Sequence, residues 1–203
     1  MKRTDVIVSL IIGELAAILA VAVSRSFPLP SGVAGAVLVL PLLLPALTFG
    51  VMAGGTILAR RVPVAYQFSK FLLVGGLNFL IDLGVLNLLI ALTGIASGFS
   101  ASVAKGAAFL VAMSSSFLWN KFWTFRALST EDVGRQFSEF FVVTLGGFLI
   151  NVGTFALVND LIGPPPGVPP RAWASAAAAA AAVGGLLWNF SGYKFFVFRR
   201  PKR

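Results

Sequence analysis

The sequence predicts an all-α polytopic membrane protein with six transmembrane helices, the last four a parallel tandem repeat of a helical hairpin. Three observations predict this. Apolar runs of roughly 20 residues recur along the chain, the length that spans a ~30 Å hydrocarbon core. Of the 203 residues, 58% are hydrophobic and only 11% are charged. Two stretches also occur twice. SSSFLWNKFWTFR (Ser114–Arg126) is matched by WNFSGYKFFVFR (Trp188–Arg199), with Lys121 on Lys194, Trp123 on Phe196, Phe125 on Phe198 and Arg126 on Arg199, an offset of 73 residues. QFSKFLLVGGLNFLIDLG (Gln67–Gly84) is matched by QFSEFFVVTLGGFLINVG (Gln136–Gly153), with Asp82 on Asn151, at an offset of 69. An outer loop longer in the second copy absorbs the difference. Repetition at a fixed period marks a duplicated structural unit.

The elements follow in order. Val6–Val23 is a first span, and Glu14 within it argues for a retained helix over a cleaved signal. Phe27–Gly32 is a Pro-containing turn, and Val33–Leu58 is the second span, which Pro41 and Pro45 should kink. Arg60, Arg61 and Lys70 flank a short connector. Phe68–Leu92 and Ala101–Trp119 are spans three and four, joined by the small-residue loop Thr93–Ser100. Arg126–Arg135 is a polar loop, Phe137–Ile162 the fifth span, and Gly163–Pro170 (GPPPGVPP) a stiff extended loop. Trp173–Asn189 is the sixth span. Its run Ala176–Ala182 is all alanine, a face suited to close contact with another helix. The pairs Gly75-Gly76 and Gly146-Gly147 predict close packing as well. Residues 1–62 match neither copy and read as an accessory two-helix hairpin. Residues 63–203 hold the two repeats, about 66–126 and 135–200.

Charge orients the spans. Thirteen of the sixteen basic residues fall in Met1–Asp5, Arg60–Lys70, Lys121–Arg135 and Lys194–Arg203. By the positive-inside rule these segments, and both termini, face the cytoplasm of an inner-membrane protein. Because each hairpin has two spans, the copies enter the membrane in the same direction. The net charge of +9 could suggest a nucleic-acid partner, but its concentration at span ends favours topology and predicts none. The chain has no Cys and no His, which excludes disulfides, thiol chemistry, a Ser-His-Asp triad and His-ligated zinc. Of the seven carboxylates, Asp5, Glu131, Asp132 and Glu139 are predicted in or near water. Aqueous segments of about ten residues cannot build a soluble catalytic domain. No enzyme activity and no cofactor are predicted.

The repeated block, about residues 66–200, resembles the GtrA-like family of small four-helix membrane proteins. QFSKFLLVGGLNFLIDLG, SSSFLWNKFWTF and GYKFFVFRR carry the resemblance. It implies translocation of a polyprenyl-phosphate-linked monosaccharide between leaflets, for modification of cell-envelope polysaccharide. A similar block also anchors polyprenyl-phosphate glycosyltransferases, so a non-transporting scaffold that recruits such an enzyme is the alternative. Membrane lipid and a polyprenyl-phosphate sugar are the implied partners, with a glycosyltransferase and a homo-oligomer as further candidates. The extra N-terminal hairpin departs from the four-span pattern.

An ionisable residue inside a span is a functional candidate because its burial in lipid is costly. Asp82 lies mid-span, and Asp82, Asn78 and Asn151 are expected to line a polar seam between the repeats where sugar hydroxyls could bond. The alternative is that each closes a single interhelical hydrogen bond. Lys105 could neutralise Asp82 or attract phosphate. Counting from the loop centre near Ser97, however, puts the two ~10 Å apart in depth, against a tight pair, and Lys105 could simply snorkel. Lys121, Arg126, Lys194 and Arg199 are either cytoplasmic anchors or donors to a lipid phosphate. The amides of Asn120 and Asn189 stand at span ends, within reach of phosphate or sugar. Trp119, Trp123, Trp188 and Tyr193 read as an interfacial belt. Glu14 is a further intramembrane acid without a named partner.

Overall fold

The computed structural model describes residues 1–26, 30 and 35–199. Most of the predicted turn Phe27–Gly32, the predicted span start at Val33, and Arg200–Arg203 lie outside them. Among the described residues helices dominate, joined by short loops, and there are no strands. We label the helices α1 (Arg3–Ser24), α2 (Leu40–Leu58), α3 (Val64–Thr93), α4 (Gly98–Trp119), α5 (Val133–Ala156) and α6 (Pro170–Gly192). Three of them run on into π-helical segments, at Asn120–Thr124, Leu157–Ile162 and Tyr193–Val197. With these extensions, all six are long and apolar enough to cross a membrane.

The ends have local causes. Gly94 stops α3 in the left-handed conformation, φ 70°, with its N–H on Ile90 O at 2.8 Å, the usual glycine termination. Pro170 opens α6 at its first turn, where a missing N–H costs nothing. The same holds for Pro41 in the first turn of α2. Only Pro45 lies inside that helix, so one of the two predicted kink positions is a helix start.

Two compact units divide the chain, Met1–Arg126 and Ala127–Arg203. They are units of packing, whereas the sequence division after residue 62 separates unrepeated from repeated segments. In the first unit α1 packs on α2 and α3, and α3 packs on α2 and α4. Its core gathers Ile12 and Ala16 of α1, Met52 of α2, Leu73, Val74 and Leu77 of α3, and Trp123. The spacing of four in both α1 and α3 keeps these side chains on one helix face. At Gly13 a Cβ would sit 2.5 Å from the Pro45 Cα, so glycine is what lets α1 and α2 approach.

In the second unit α5 packs on α6. Ala177, Ala181 and Gly185 form a buried stripe at a spacing of four on α6, so the alanine run meets a neighbour as predicted. The glycine pairs part company. A Cβ at Gly146 would meet the Trp188 ring and one at Gly147 the Asn189 amide, whereas Gly75 and Gly76 have open space. Close packing was expected at both pairs. It occurs only at the second, because Gly75 and Gly76 face away from the core that Val74 and Leu77 enter.

Candidate functional site

The densest polar cluster lies in the first unit, around a carboxylate that the sequence placed near water. Asp5 is 0% exposed. Lys70 Nζ donates to its Oδ1 at 2.6 Å, Trp123 Nε1 to the same oxygen at 2.9 Å, and the Tyr66 hydroxyl to Oδ2 at 2.6 Å. Arg126 Nη2 reaches both oxygens at 3.1 Å. Four donors from α3 and from the end of the α4 arm thus converge on one side chain of α1. Lys70 is buried with it, so it is an interior ion-pair partner and not part of a solvated connector. The Lys70 ammonium also lies 4.9 Å from the Tyr66 ring centroid and 5.2 Å from that of Trp123, a favourable cation–π placement.

Trp123 and Arg126 reach this point because the chain stays helical past Trp119. The Phe125 N–H bonds Asn120 O at 2.8 Å, five residues back, and the Phe198 N–H bonds Tyr193 O at 2.8 Å in the same way. Such π turns widen the helix by a residue and concentrate at functional positions. Arg126 then leaves the helix at φ 53°, an unusual conformation for a side-chain-bearing residue. The turn buries Asn120, Lys121, Trp123 and Thr124. Lys121 is 0% exposed, inside the unit and not on its surface. Trp123 and Tyr193 are interior too. Tyr193 stacks on Phe140 with ring centroids 4.1 Å apart, and its hydroxyl shares a 2.7 Å hydrogen bond with Thr144. Both rings are packed inside the protein instead of facing outward, whereas Trp188 is half-exposed.

Lys105 and Asp82 form an ion pair joining α4 to α3, contrary to the depth argument. The loop 94–97 adds no helical rise. From the ends at Thr93 and Gly98 the two residues differ in level by only ~6 Å, which the lysine stem covers. Lys105 keeps 49% of its side chain exposed and Asp82 keeps 18%. One turn from Asp82 on the same face, Asn78 donates to Val74 O at 2.7 Å. Asn78 Oδ1 and Asp82 Oδ1 are buried acceptors without a hydrogen-bond partner among the described residues, as are Asn120 Oδ1, Thr124 Oγ1 and Asn189 Oδ1. Asn120 meanwhile donates to Ser116 O at 2.9 Å.

The remaining predicted residues belong to the second unit. Asn151 lies beside Gly185 and Asn189 beside Gly147. Lys194 sits 5.6 Å from the Phe190 ring centroid and 5.5 Å from that of Phe195, and Arg199 is exposed. Arg135 binds Glu139 at 2.8 Å and Asp132 at 3.3 Å. Glu14 is exposed on the outer face of α1. The structure therefore brings together Asp82, Asn78 and Lys105 in one place and Arg126 with Asp5, Tyr66, Lys70 and Trp123 in another.

The sequence model of one family, described as GtrA/DPMS, transmembrane domain, matches residues 70–198. The match covers more than half of the chain. The chain belongs to the GtrA/DPMS family. Comparison with curated proteins and with solved structures gave no match. The GtrA/DPMS domain begins at Lys70 and ends just after the π turn Tyr193–Val197, so Asp5 and Tyr66 lie outside it while their partners Lys70, Trp123 and Arg126 lie within. Sequence reasoning missed this cluster. One signal for it exists. Sixty-nine residues after Tyr66 and Lys70 stand Arg135 and Glu139. The second hairpin thus holds its own acid and base, whereas the first has a base that needs an acid from elsewhere.

Proposed function

We propose that the protein moves a polyprenyl-phosphate-linked monosaccharide across the cytoplasmic membrane, with both termini on the cytoplasmic side. The isoprenyl tail stays in the bilayer while the sugar crosses along polar side chains. One observation carries the reading. Two acceptors on adjacent turns of the membrane-length helix α3, Asn78 Oδ1 and Asp82 Oδ1, are buried and have no hydrogen-bond partner among the described residues. A buried acceptor without a donor is costly, and in a bilayer no water relieves it. Sugar hydroxyls are donors of the right kind. The Asp82–Lys105 pair supports the same reading, since it engages one carboxylate oxygen and leaves the second without a donor among the described residues.

The two hairpins act as copies of one unit in this proposal. Two π turns of equal length, five residues, 73 residues apart and each carrying a lysine at its second position, support this. Asn151 then supplies in the second hairpin the polar group that Asp82 supplies in the first. In this proposal Asn120 and Lys121 at the end of the first hairpin, and Asn189, Lys194 and Arg199 at the end of the second, each supply amide and cationic groups of the kind that a lipid phosphate requires. The test is leaflet exchange of a labelled polyprenyl-phosphate monosaccharide in proteoliposomes. Exchange should depend on reconstituted protein, and equal rates in protein-free vesicles would end the proposal.

Recruitment of a glycosyltransferase is the second reading. The DPMS half of the family description favours it. In that case the 127–132 loop, not the intramembrane residues, carries function. Transferase co-purification that survives Asp82→Ala but is lost on replacement of that loop would favour it.

A further inference from the structure

We infer that Lys70, Arg126, Tyr66 and Trp123 form an oxyanion site for the phosphate of an isoprenyl phosphate, and that Asp5 of α1 occupies it as a built-in competitor. The inference rests on the lipid-phosphate reading above and adds to it a location and a control element.

The donor set fits a phosphate better than a carboxylate requires. Two cations and two neutral donors surround a single acid, which leaves the cluster with one surplus positive charge. A phosphomonoester carries a charge of about −1.5 to −2 at neutral pH and has more acceptor positions than a carboxylate, so in place of Asp5 it neutralises that surplus. Arg126, a residue suited to two-point contact with phosphate, is the open side of the site. Its side chain is 38% exposed, whereas those of Lys70 and Asp5 are 3% and 1% exposed. Its backbone stands at a positive φ while the guanidinium bonds both Asp5 oxygens.

The same helix faces continue into a place for the tail. Ile12 and Ala16 follow Asp5 by two and three turns on α1. Leu73 and Leu77 follow Lys70 by one and two turns on α3. Together with Leu44 and Thr48 of α2 they line an apolar groove of about 190 Å³. Its nearest wall begins ~10 Å along α1 from Asp5. A charged head in the cluster and a branched hydrocarbon in the groove describe one amphiphile. The acid that competes with it comes from the hairpin that precedes the family domain, so that hairpin sets access to the site.

The experiment uses the full chain in nanodiscs and measures binding of farnesyl phosphate, farnesol and inorganic phosphate by calorimetry. Asp5→Asn removes the competing charge and keeps the side-chain shape. Farnesyl phosphate should bind this variant at least tenfold more tightly than the wild type, and Asp5→Asn with Arg126→Gln should lose that gain. Farnesol and inorganic phosphate should show neither change. Equal affinity of Asp5→Asn and wild type for farnesyl phosphate would overturn the proposal, and tighter binding of inorganic phosphate would replace the lipid by a free anion. Should Asp5→Asn fail to yield folded protein, Arg126→Gln alone decides, because its Asp5–Lys70 pair is intact. It should bind farnesyl phosphate at least tenfold more weakly than wild type, and unchanged binding would refute the site. Leaflet exchange by the wild type reads the broader function separately. Exchange without an Asp5 effect on binding would sink only this inference.

Discussion

A single carboxylate decides how much of the first unit's charge can be buried. Removing Asp5 as Asp5→Ala leaves Lys70 and Arg126 facing one another, and stripping one partner from a buried pair costs about 3–5 kcal/mol. We expect a large fall in thermal midpoint for Asp5→Ala, a smaller one for Tyr66→Phe, and recovery when Lys70→Met is added to Asp5→Ala. Scanning fluorimetry in detergent reads all three, and an unchanged midpoint for Asp5→Ala would contradict the cluster. Asp82 and Lys105 make a second residue-scale case. Asp82→Ala and Lys105→Ala should each destabilise, and the double variant should cost less than the two losses combined, because residues in contact are not additive. Strict additivity would mean that the ion pair does not form in the membrane.

Among the elements, glycine positions separate packing from mere composition. Gly147→Ala drives a methyl into Asn189, and Gly192→Ala drives one into Val143. Both should lower the thermal midpoint. Gly75→Ala meets nothing and should hold or raise stability by up to ~1 kcal/mol, the helix preference of alanine over glycine. Equal effects at Gly75 and Gly147 would contradict the packing described here. The helices themselves were legible in the sequence because hydrophobic length alone sets them, and the alanine stripe because small residues have few uses in a helix other than contact. The π turns were not legible. WNKFW and GYKFF look like the charged, aromatic end of a span, and nothing in residue type signals one extra residue per turn. Lys121 and Trp123 are buried within the segment Asn120–Thr124, so side chains that composition assigns to the headgroups lie inside the protein. Long-range pairs were hidden for a related reason. Asp5 and Arg126 are 121 residues apart, and the acid was judged by its neighbours in the chain, Lys2 and Arg3, instead of its neighbours in space. The Asp82–Lys105 pair is hidden because the loop residues 94–97 add chain length without helical rise, which sequence counting does not show.

Across the whole molecule, the proposed transport path requires six crossings with both termini on one side. The natural chain lacks cysteine, so single cysteines report topology without background. Cysteines at Ser97 and Val168 should label from outside the cell, and one at Ser129 only after permeabilisation. Labelling of Ser97 and Ser129 from the same side would break the proposed topology. The N-terminal hairpin packs in the same unit as the first half of the GtrA/DPMS domain, so its loss should affect that half directly. The central claim is that polar side chains on α3 carry a sugar across the bilayer. The most direct measurement is leaflet exchange of labelled polyprenyl-phosphate monosaccharide by wild-type and Asp82→Asn protein, reconstituted at equal density. Exchange by Asp82→Asn should be at least tenfold slower, and equal rates for the two proteins would leave the polar side chains of α3 no part in carrying the sugar.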